Sequence, residues 1–295
     1  MKMAKLLGAI CTSHIPAIGN AIARGTQDEP YWKPFFESYP PVREWLAQVD
    51  PDAVVMIYND HGLNFFLDKM PTFAVGAAPE YCNDDEGWGL PTLPPFRGDP
   101  KLSWHVIEQL VHDEFDVTTC QEMLVDHAFT VPISLLWPDR SARRFGTVPV
   151  AINTVQHPLP TPARCYALGK AIGRAIESYP EDIGVVVVAT GGMSHQLDGE
   201  RAGFINKAFD LHCLEKIVDD PRVLTDMSIH ELVREAGTQG VELIMWLAAR
   251  GALDGKVTKL HSHYHIPVSN TAAGLLLLSA NGRPDPKPLD SGPLS

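Results

Sequence analysis

The sequence predicts an α/β layered fold, and three observations carry that expectation. Short apolar runs alternate with segments of helical period, one run (Val185-Val186-Val187-Val188) is β-branched throughout, and no internal repeat or domain-splitting linker breaks the pattern. Candidate strands are Leu6 to Cys11, Ala53 to Tyr58, Thr72 to Gly76, Val148 to Asn153 and Ile183 to Ala189. The valine run reads as a strand buried on both faces. Two helices are announced by their first residues. Asp99-Pro100 offers an N-cap and a proline at the first helical position, followed by Leu102, Val106, Ile107, Leu110 and Val111 at helical spacing. Thr161-Pro162 does the same ahead of Leu168, Ala171, Ile172, Ala175 and Ile176. Further helices are expected over Ala202 to Val218 and Gly240 to Arg250. The Pro-, Gly- and Asp-rich stretch from Glu80 to Pro100 reads as a long surface loop. One domain is expected over residues 1–280, with residues 281–295 as a flexible Pro-rich tail.

Bulk properties exclude some functions. With 45% apolar and 20% charged residues, the chain is an ordinary soluble globular protein able to bury a large core. Its net charge of −12 argues against nucleic acid and, mildly, against an acidic membrane surface. A small anionic substrate remains compatible with that charge through a local basic pocket. The five cysteines, Cys11, Cys82, Cys120, Cys165 and Cys213, are scattered and form no CxxC, which suits free thiols in a reducing cytoplasm. The first apolar run is short and broken by Ser13-His14, so neither a signal peptide nor a membrane span is expected.

The chemistry concentrates where strands end. The first strand runs into Thr12-Ser13-His14-Ile15-Pro16, the second into Asn59-Asp60-His61-Gly62, and the valine strand into Thr190-Gly191-Gly192-Met193-Ser194-His195. Ligands of open α/β sheets sit beyond the carboxyl ends of strands, so these three histidines are expected to share a site. Glu242 is a fourth signal, because Gly240-Val241-Glu242-Leu243-Ile244-Met245-Trp246-Leu247 is apolar on nearly every face. A carboxylate there needs a metal or a cationic partner such as Arg234 or Arg250, and the helix alone favours neither. Two histidines and one carboxylate, leaving open positions on the ion, make the facial triad of non-haem Fe(II) oxygenases. A further imidazole would supply the base that catechol chemistry requires.

At this point the sequence resembles the β subunits of protocatechuate 4,5-dioxygenase, within the extradiol dioxygenases unrelated to the vicinal-oxygen-chelate enzymes. The matching segments are Thr12-Ser13-His14-Ile15-Pro16-Ala17, Tyr58-Asn59-Asp60-His61, Asp84-Asp85-Glu86-Gly87-Trp88-Gly89, Val125-Asp126-His127 and Thr190-Gly191-Gly192-Met193-Ser194-His195-Gln196-Leu197. Gly240-Val241-Glu242-Leu243, Tyr264-His265-Ile266-Pro267 and Ser269-Asn270-Thr271-Ala272 continue the series in the same order. The resemblance implies a three-layer sandwich with a central mixed β-sheet flanked by helices. It implies that His14, His61 and Glu242 hold Fe(II), that His195 is the acid/base residue, and that His127 is a second histidine near bound oxygen. It places Asn59 beside a metal ligand, and Ser269 and Asn270 where the substrate carboxylate is received. The expected reaction inserts both atoms of O₂ into a protocatechuate-like catechol and opens the ring to a muconate semialdehyde.

Departures and competing readings qualify this. Where the family has a Gly followed by a small residue after the His127 motif, this chain has Ala128-Phe129, so Phe129 would reshape the pocket if it faced inward. Protocatechuate-cleaving members work with a small α subunit that gallate-cleaving relatives carry fused at the C-terminus. This chain ends before such a part, so a separate α subunit and β–β pairing are expected. Alternatives are a dioxygenase for gallate or another substituted catechol, a zinc-dependent hydrolase on the same ligands, and a non-enzymatic binding protein. His261, His263 and His265 alternate along a strand but read as ordinary strand residues, and His105 and His112 as solvated ones. Gly191-Gly192 reads as a tight turn near the site, and no G-x-S-x-G elbow makes Ser13 or Ser194 a nucleophile.

Overall fold

The computed structural model describes residues 2–267 and 270–280, so Ser269 and the Pro-rich tail lie outside the described residues. Among the described residues the strands are β1 (Lys5–Thr12), β2 (Ala53–Tyr58), β3 (Phe73–Gly76), β4 (Glu80–Tyr81), β5 (Phe96–Arg97), β6 (Thr118–Cys120), β7 (Gly146–Ile152), β8 (Gly184–Thr190), β9 (Val257–His265) and β10 (Ala273–Ala280). The α-helices are α1 (Pro16–Arg24), α2 (Lys33–Phe36), α3 (Pro40–Val49), α4 (Pro100–His112), α5 (His127–Leu136), α6 (Pro162–Ser178), α7 (Lys207–Asp219), α8 (Arg222–Thr225), α9 (Ile229–Ala236) and α10 (Leu243–Leu253). Eight strands form one mixed sheet in the order β6-β3-β7-β2-β8-β1-β10-β9.

Alternation along the central strands builds three layers. Val55 and Ile57 of β2 face a core shared with α4, α6, α7 and α10, whereas Val54, Met56 and Tyr58 face one shared with α1, α2, α3 and α5. Each strand therefore buries both of its faces, which is why the valine run carries no polar residue. The neighbours β7, β2, β8 and β1 are mutually parallel, and β10 runs antiparallel to β1. The carboxyl ends of the four parallel strands and the start of β10 thus share one edge of the sheet.

Local chemistry fixes the helices. The Asp99 side chain accepts from Leu102 N at 3.1 Å and Thr161 Oγ1 from Arg164 N at 3.2 Å, so both expected caps form. The expected helix over 202–218 begins only at Lys207, because the Asn206 side chain accepts from Phe209 N and sets the start there. The expected loop from Glu80 to Pro100 carries the short antiparallel pair β4–β5, which pins it at both ends. His105, expected to be solvated, joins α4 to α6, its Nε2 3.0 Å from Ala175 O and from Ser178 Oγ. All five cysteines are free. Among the described residues, no helix is long and apolar enough to cross a membrane.

Helices α6 and α10 pack closely because small residues face each other. A Cβ on Gly169 would lie 1.8 Å from the carbonyl oxygen of Ala248, and one on Gly173 2.2 Å from that of Ala252. An alanine in an exposed helix gains about 1 kcal/mol over glycine. Here overpacking, costing about 1–3 kcal/mol, outweighs that gain. Gly169→Ala is therefore expected to lower the urea midpoint, and an unchanged or higher midpoint would refute the close approach.

On the edge strand β9, His261 Nε2 and His263 Nε2 are buried without a hydrogen-bond partner among the described residues. Burial and the neighbouring His265 and His261 press the His263 pKa down to about 4. A histidine depressed in the fold is stabilising when neutral, so stability is full above about pH 6.5 and is lost as pH falls toward 4. Between pH 7.5 and 5 this group should remove about 1–2 kcal/mol. Urea unfolding at both pH values should show a smaller acid loss in His263→Phe than in the parent. An equal loss would clear His263 of the effect.

Candidate active site

The shared edge of the sheet gathers the residues that the sequence singled out. His14 follows β1, Asn59 and His61 follow β2, and His195 follows β8. Glu242 ends a short 3-10 turn (Gly240–Glu242) that leads into α10. The expected helix over Gly240–Arg250 is thus split, and the turn delivers the carboxylate just before the fully buried α10 begins. The side chains converge on a cleft of about 640 Å³, whose walls include Trp88, His127, His157, Gln239 and Asn270.

Glu242 stands at the centre. Its Oε2 lies 3.5 Å from His14 Nε2 and 3.9 Å from His195 Nε2, and its Oε1 lies 3.8 Å from His61 Nε2. The Gly192 N–H donates to Oε2 at 2.5 Å. That donation depends on the Gly191-Gly192 turn read from the sequence, because Gly191 takes φ +140°, and a Cβ on Gly192 would lie 2.6 Å from His195 Cε1. The cationic alternatives are occupied elsewhere. Arg250 donates to the carbonyls of Ile217 and Gly255, and Arg234 to Glu235. Burial by itself would raise the Glu242 pKa, but the imidazoles of His14, His61 and His195 outweigh it and hold the carboxyl well below the usual range.

Each imidazole is oriented through its other nitrogen. His14 Nδ1 lies 3.0 Å from Thr190 Oγ1, and His61 Nδ1 donates to Asp126 Oδ2 at 2.9 Å. Both rings therefore turn Nε2 toward Glu242, the contact at Nδ1 fixing the direction of each ring. Asp126 also accepts from His61 N and caps α5 at Ala128 N, so one carboxylate fixes a ring and a helix start together. Burial disfavours a charged His61, yet Asp126 and Glu242 raise its pKa to about 10, so a proton and a cation compete for the same Nε2. Asn59 Nδ2 sits 3.1 Å from His61 Nε2 and 3.4 Å from Glu242 Oε1, bridging the two.

His195 and His127 differ from this pair. His195 Nδ1 donates to Met193 O at 2.8 Å, which leaves Nε2 as the lone-pair nitrogen facing the cleft. The Asp210 carboxylate, buried behind, accepts from Ser194 N, Ser194 Oγ and Tyr264 Oη and holds the loop in place. His127 stacks on His61 with ring centroids 4.2 Å apart and meets Glu86 through Nδ1. Ring nitrogens of His14, His61 and His127 all lie within 4.8 Å of one another, so a three-imidazole donor set exists beside the two-histidine, one-carboxylate set. Both sets fit a divalent first-row ion, iron or zinc.

Phe129 does not reach the cleft. It is fully buried and packs edge-on against Tyr58 and Phe96. Among the described residues, the cleft lining contains no Lys or Arg. Sequence reasoning gave no role to Asp126, Thr190, Glu86 or Trp88. All four stand inside quoted motifs, but their partners lie far away along the chain.

Comparisons with known proteins accord with this geometry. The family described as the catalytic LigB subunit of aromatic ring-opening dioxygenase matches residues 8–274. A gallate dioxygenase from Pseudomonas putida is 42% identical over 206 residues, covering 70% of this chain and 60% of the relative. A 2,3-dihydroxyphenylpropionate/2,3-dihydroxicinnamic acid 1,2-dioxygenase from Photorhabdus laumondii is 27% identical, covering 92% of this chain and 96% of the relative. The crystal structure of an uncharacterised Escherichia coli K12 protein shares the fold, with a TM-score of 0.58 at 14% identity over 92% of this chain and 99% of that one. With a match across nearly the whole described domain, this chain belongs to the family of the catalytic LigB subunit of aromatic ring-opening dioxygenases.

Proposed function

We propose that this chain is an Fe(II)-dependent extradiol dioxygenase that cleaves a carboxylated catechol such as protocatechuate to a muconate semialdehyde. The observation that carries the reading is the buried Glu242 carboxylate flanked by His14 Nε2 and His61 Nε2, with a third imidazole, His195, facing it from the cleft wall. His14, His61 and Glu242 are the proposed iron ligands. An Fe(II) held by these three side chains would supply the Lewis-acid and one-electron chemistry that joins a catechol to dioxygen.

The protein's own residues would do the rest. His195, with Nδ1–H committed to Met193 O, would accept a catechol proton at Nε2 and later return it. His127, stacked on His61, would hold a second proton for the oxygen chemistry. Trp88, Ile15 and Leu197 line the cleft and would limit water. A substrate carboxylate finds no cation in the described lining, so neutral donors such as Asn270, with Ser269 beside it in sequence, would have to receive it. Gallate and other substituted catechols remain the alternative substrates on the same chemistry. The three-imidazole set of His14, His61 and His127 supports a second reading, a zinc hydrolase in which Glu242 is the base.

Partners follow from the mouth. Trp88 (50% exposed), Val155 (50%) and Leu197 (48%) form an apolar rim around the cleft. A separate small α subunit covering that rim, with two β chains paired, is the proposed assembly, and a cytoplasmic location is proposed with it. Size measurement of the native complex, and activity with and without a small chain, would test this. A fully active, long-lived homo-oligomer would contradict it.

Two variants test the chemistry. Glu242→Ala should lose iron retention and O₂ uptake while its urea unfolding stays cooperative, and full activity would remove Glu242 from the site. After anaerobic Fe(II) loading, His195→Ala should keep its metal and lose on the order of a hundredfold in turnover with protocatechuate or gallate. Loss of metal in that variant would make His195 a ligand instead.

A further inference from the structure

The loop joining β4 to β5 is folded by its own carboxylates and amides. Asn83 exchanges two 2.8 Å hydrogen bonds with the Leu93 backbone, closing the loop at its base. The Asp85 carboxylate accepts from the backbone N–H groups of Gly87, Trp88, Gly89 and Leu90 at 2.8 to 3.2 Å, which shapes the tip. Asn20 of α1 donates to Trp88 O at 3.3 Å and ties the tip to the domain. Between these ties Glu86 turns inward, its side chain 7% exposed, and its Oε1 meets Nδ1 of the His127 ring, itself 2% exposed. Its other oxygen is buried without a partner among the described residues. A carboxylate is costly to bury unless something repays the desolvation, and here the imidazole is the group it meets. The same device occurs beside it, where Asp126 holds Nδ1 of His61, whose ring stacks on that of His127.

We propose that Glu86 is a positioning residue for His127. A carboxylate only accepts, so the His127 proton shared with it sits on Nδ1, and Nε2 is left as the exchanging nitrogen. Glu86 thereby fixes both the tautomer and the rotation of the ring. Because it is carried by the β4–β5 loop, His127 is set only while that loop is seated against the domain. The proposal rests on the reading above that His127 handles a proton.

The experiment compares Glu86→Ala and Glu86→Gln with the parent, each in the His127 and His127→Ala backgrounds. Nitrogen-15 NMR of the metal-free protein reports the His127 tautomer without any turnover. Glu86→Ala should move the ring away from the Nδ1–H form, whereas Glu86→Gln, whose amide oxygen still accepts, should retain it. In the iron-loaded enzyme, Glu86→Ala should lower kcat about 10- to 100-fold, with KM and bound metal little changed, and Glu86→Gln should restore much of the loss. In the His127→Ala background, Glu86→Ala should cost nothing further. An unchanged tautomer in Glu86→Ala, a loss of metal, or an equal kcat loss in the His127→Ala background would overturn the proposal. If the parent turned over no catechol, the functional reading would fail, and the NMR comparison would still decide whether Glu86 sets the ring.

Discussion

A buried carboxylate among imidazoles is the constraint on which the rest of this protein depends. Glu242 is nearly removed from water, and a lone ionised carboxylate in that position would be untenable. The chain answers with His14, His61 and His195 within 3.5 to 3.9 Å and with a backbone N–H from Gly192. These partners belong to three different strand ends, so the charge is satisfied only when the sheet has assembled in its full order. The 3-10 turn before α10 and the Gly191-Gly192 turn after β8 are local features that serve this meeting.

Topology makes the meeting inevitable once the sheet forms. Parallel pairing of β7, β2, β8 and β1 sends four connecting loops to one edge, and the antiparallel β10 starts there too. Behind the cleft, Thr190, Asp126, Met193 O and Glu86 each hold one nitrogen of one ring. The inward-facing nitrogens are thus set by a rigid outer layer, which is how a site keeps its geometry without a mobile side chain.

Much of this was legible in the sequence. Strands buried on both faces leave long apolar runs, so β1, β2 and β8 and the histidines after them could be read directly. Glu242 stood out as the charge in an apolar helix, although only the structure decides between the histidines and the arginines as its partners. Other elements were hidden for physical reasons. Strand β10 carries Leu275-Leu276-Leu277-Leu278, a run whose composition suits a buried helix as well as a strand, and only pairing with β1 decides. Asp126 joins His61 across 65 positions, and Glu86 joins His127 across 41, distances at which no local pattern speaks. Phe129 stands where the family has a small residue and would have reshaped the pocket had it faced inward, yet the first turn of α5 places it in the core beside Tyr58.

Among the donor groupings in the described residues, one centred on Glu242 and one that takes His127 in its place imply different chemistry. Crystals of the anaerobically iron-loaded protein, measured at the iron absorption edge, separate them. The account predicts one anomalous peak within bonding distance of His14 Nε2, His61 Nε2 and the Glu242 carboxylate, with His127 and His195 outside it. A peak bonded to His14, His61 and His127, with Glu242 free, would contradict it.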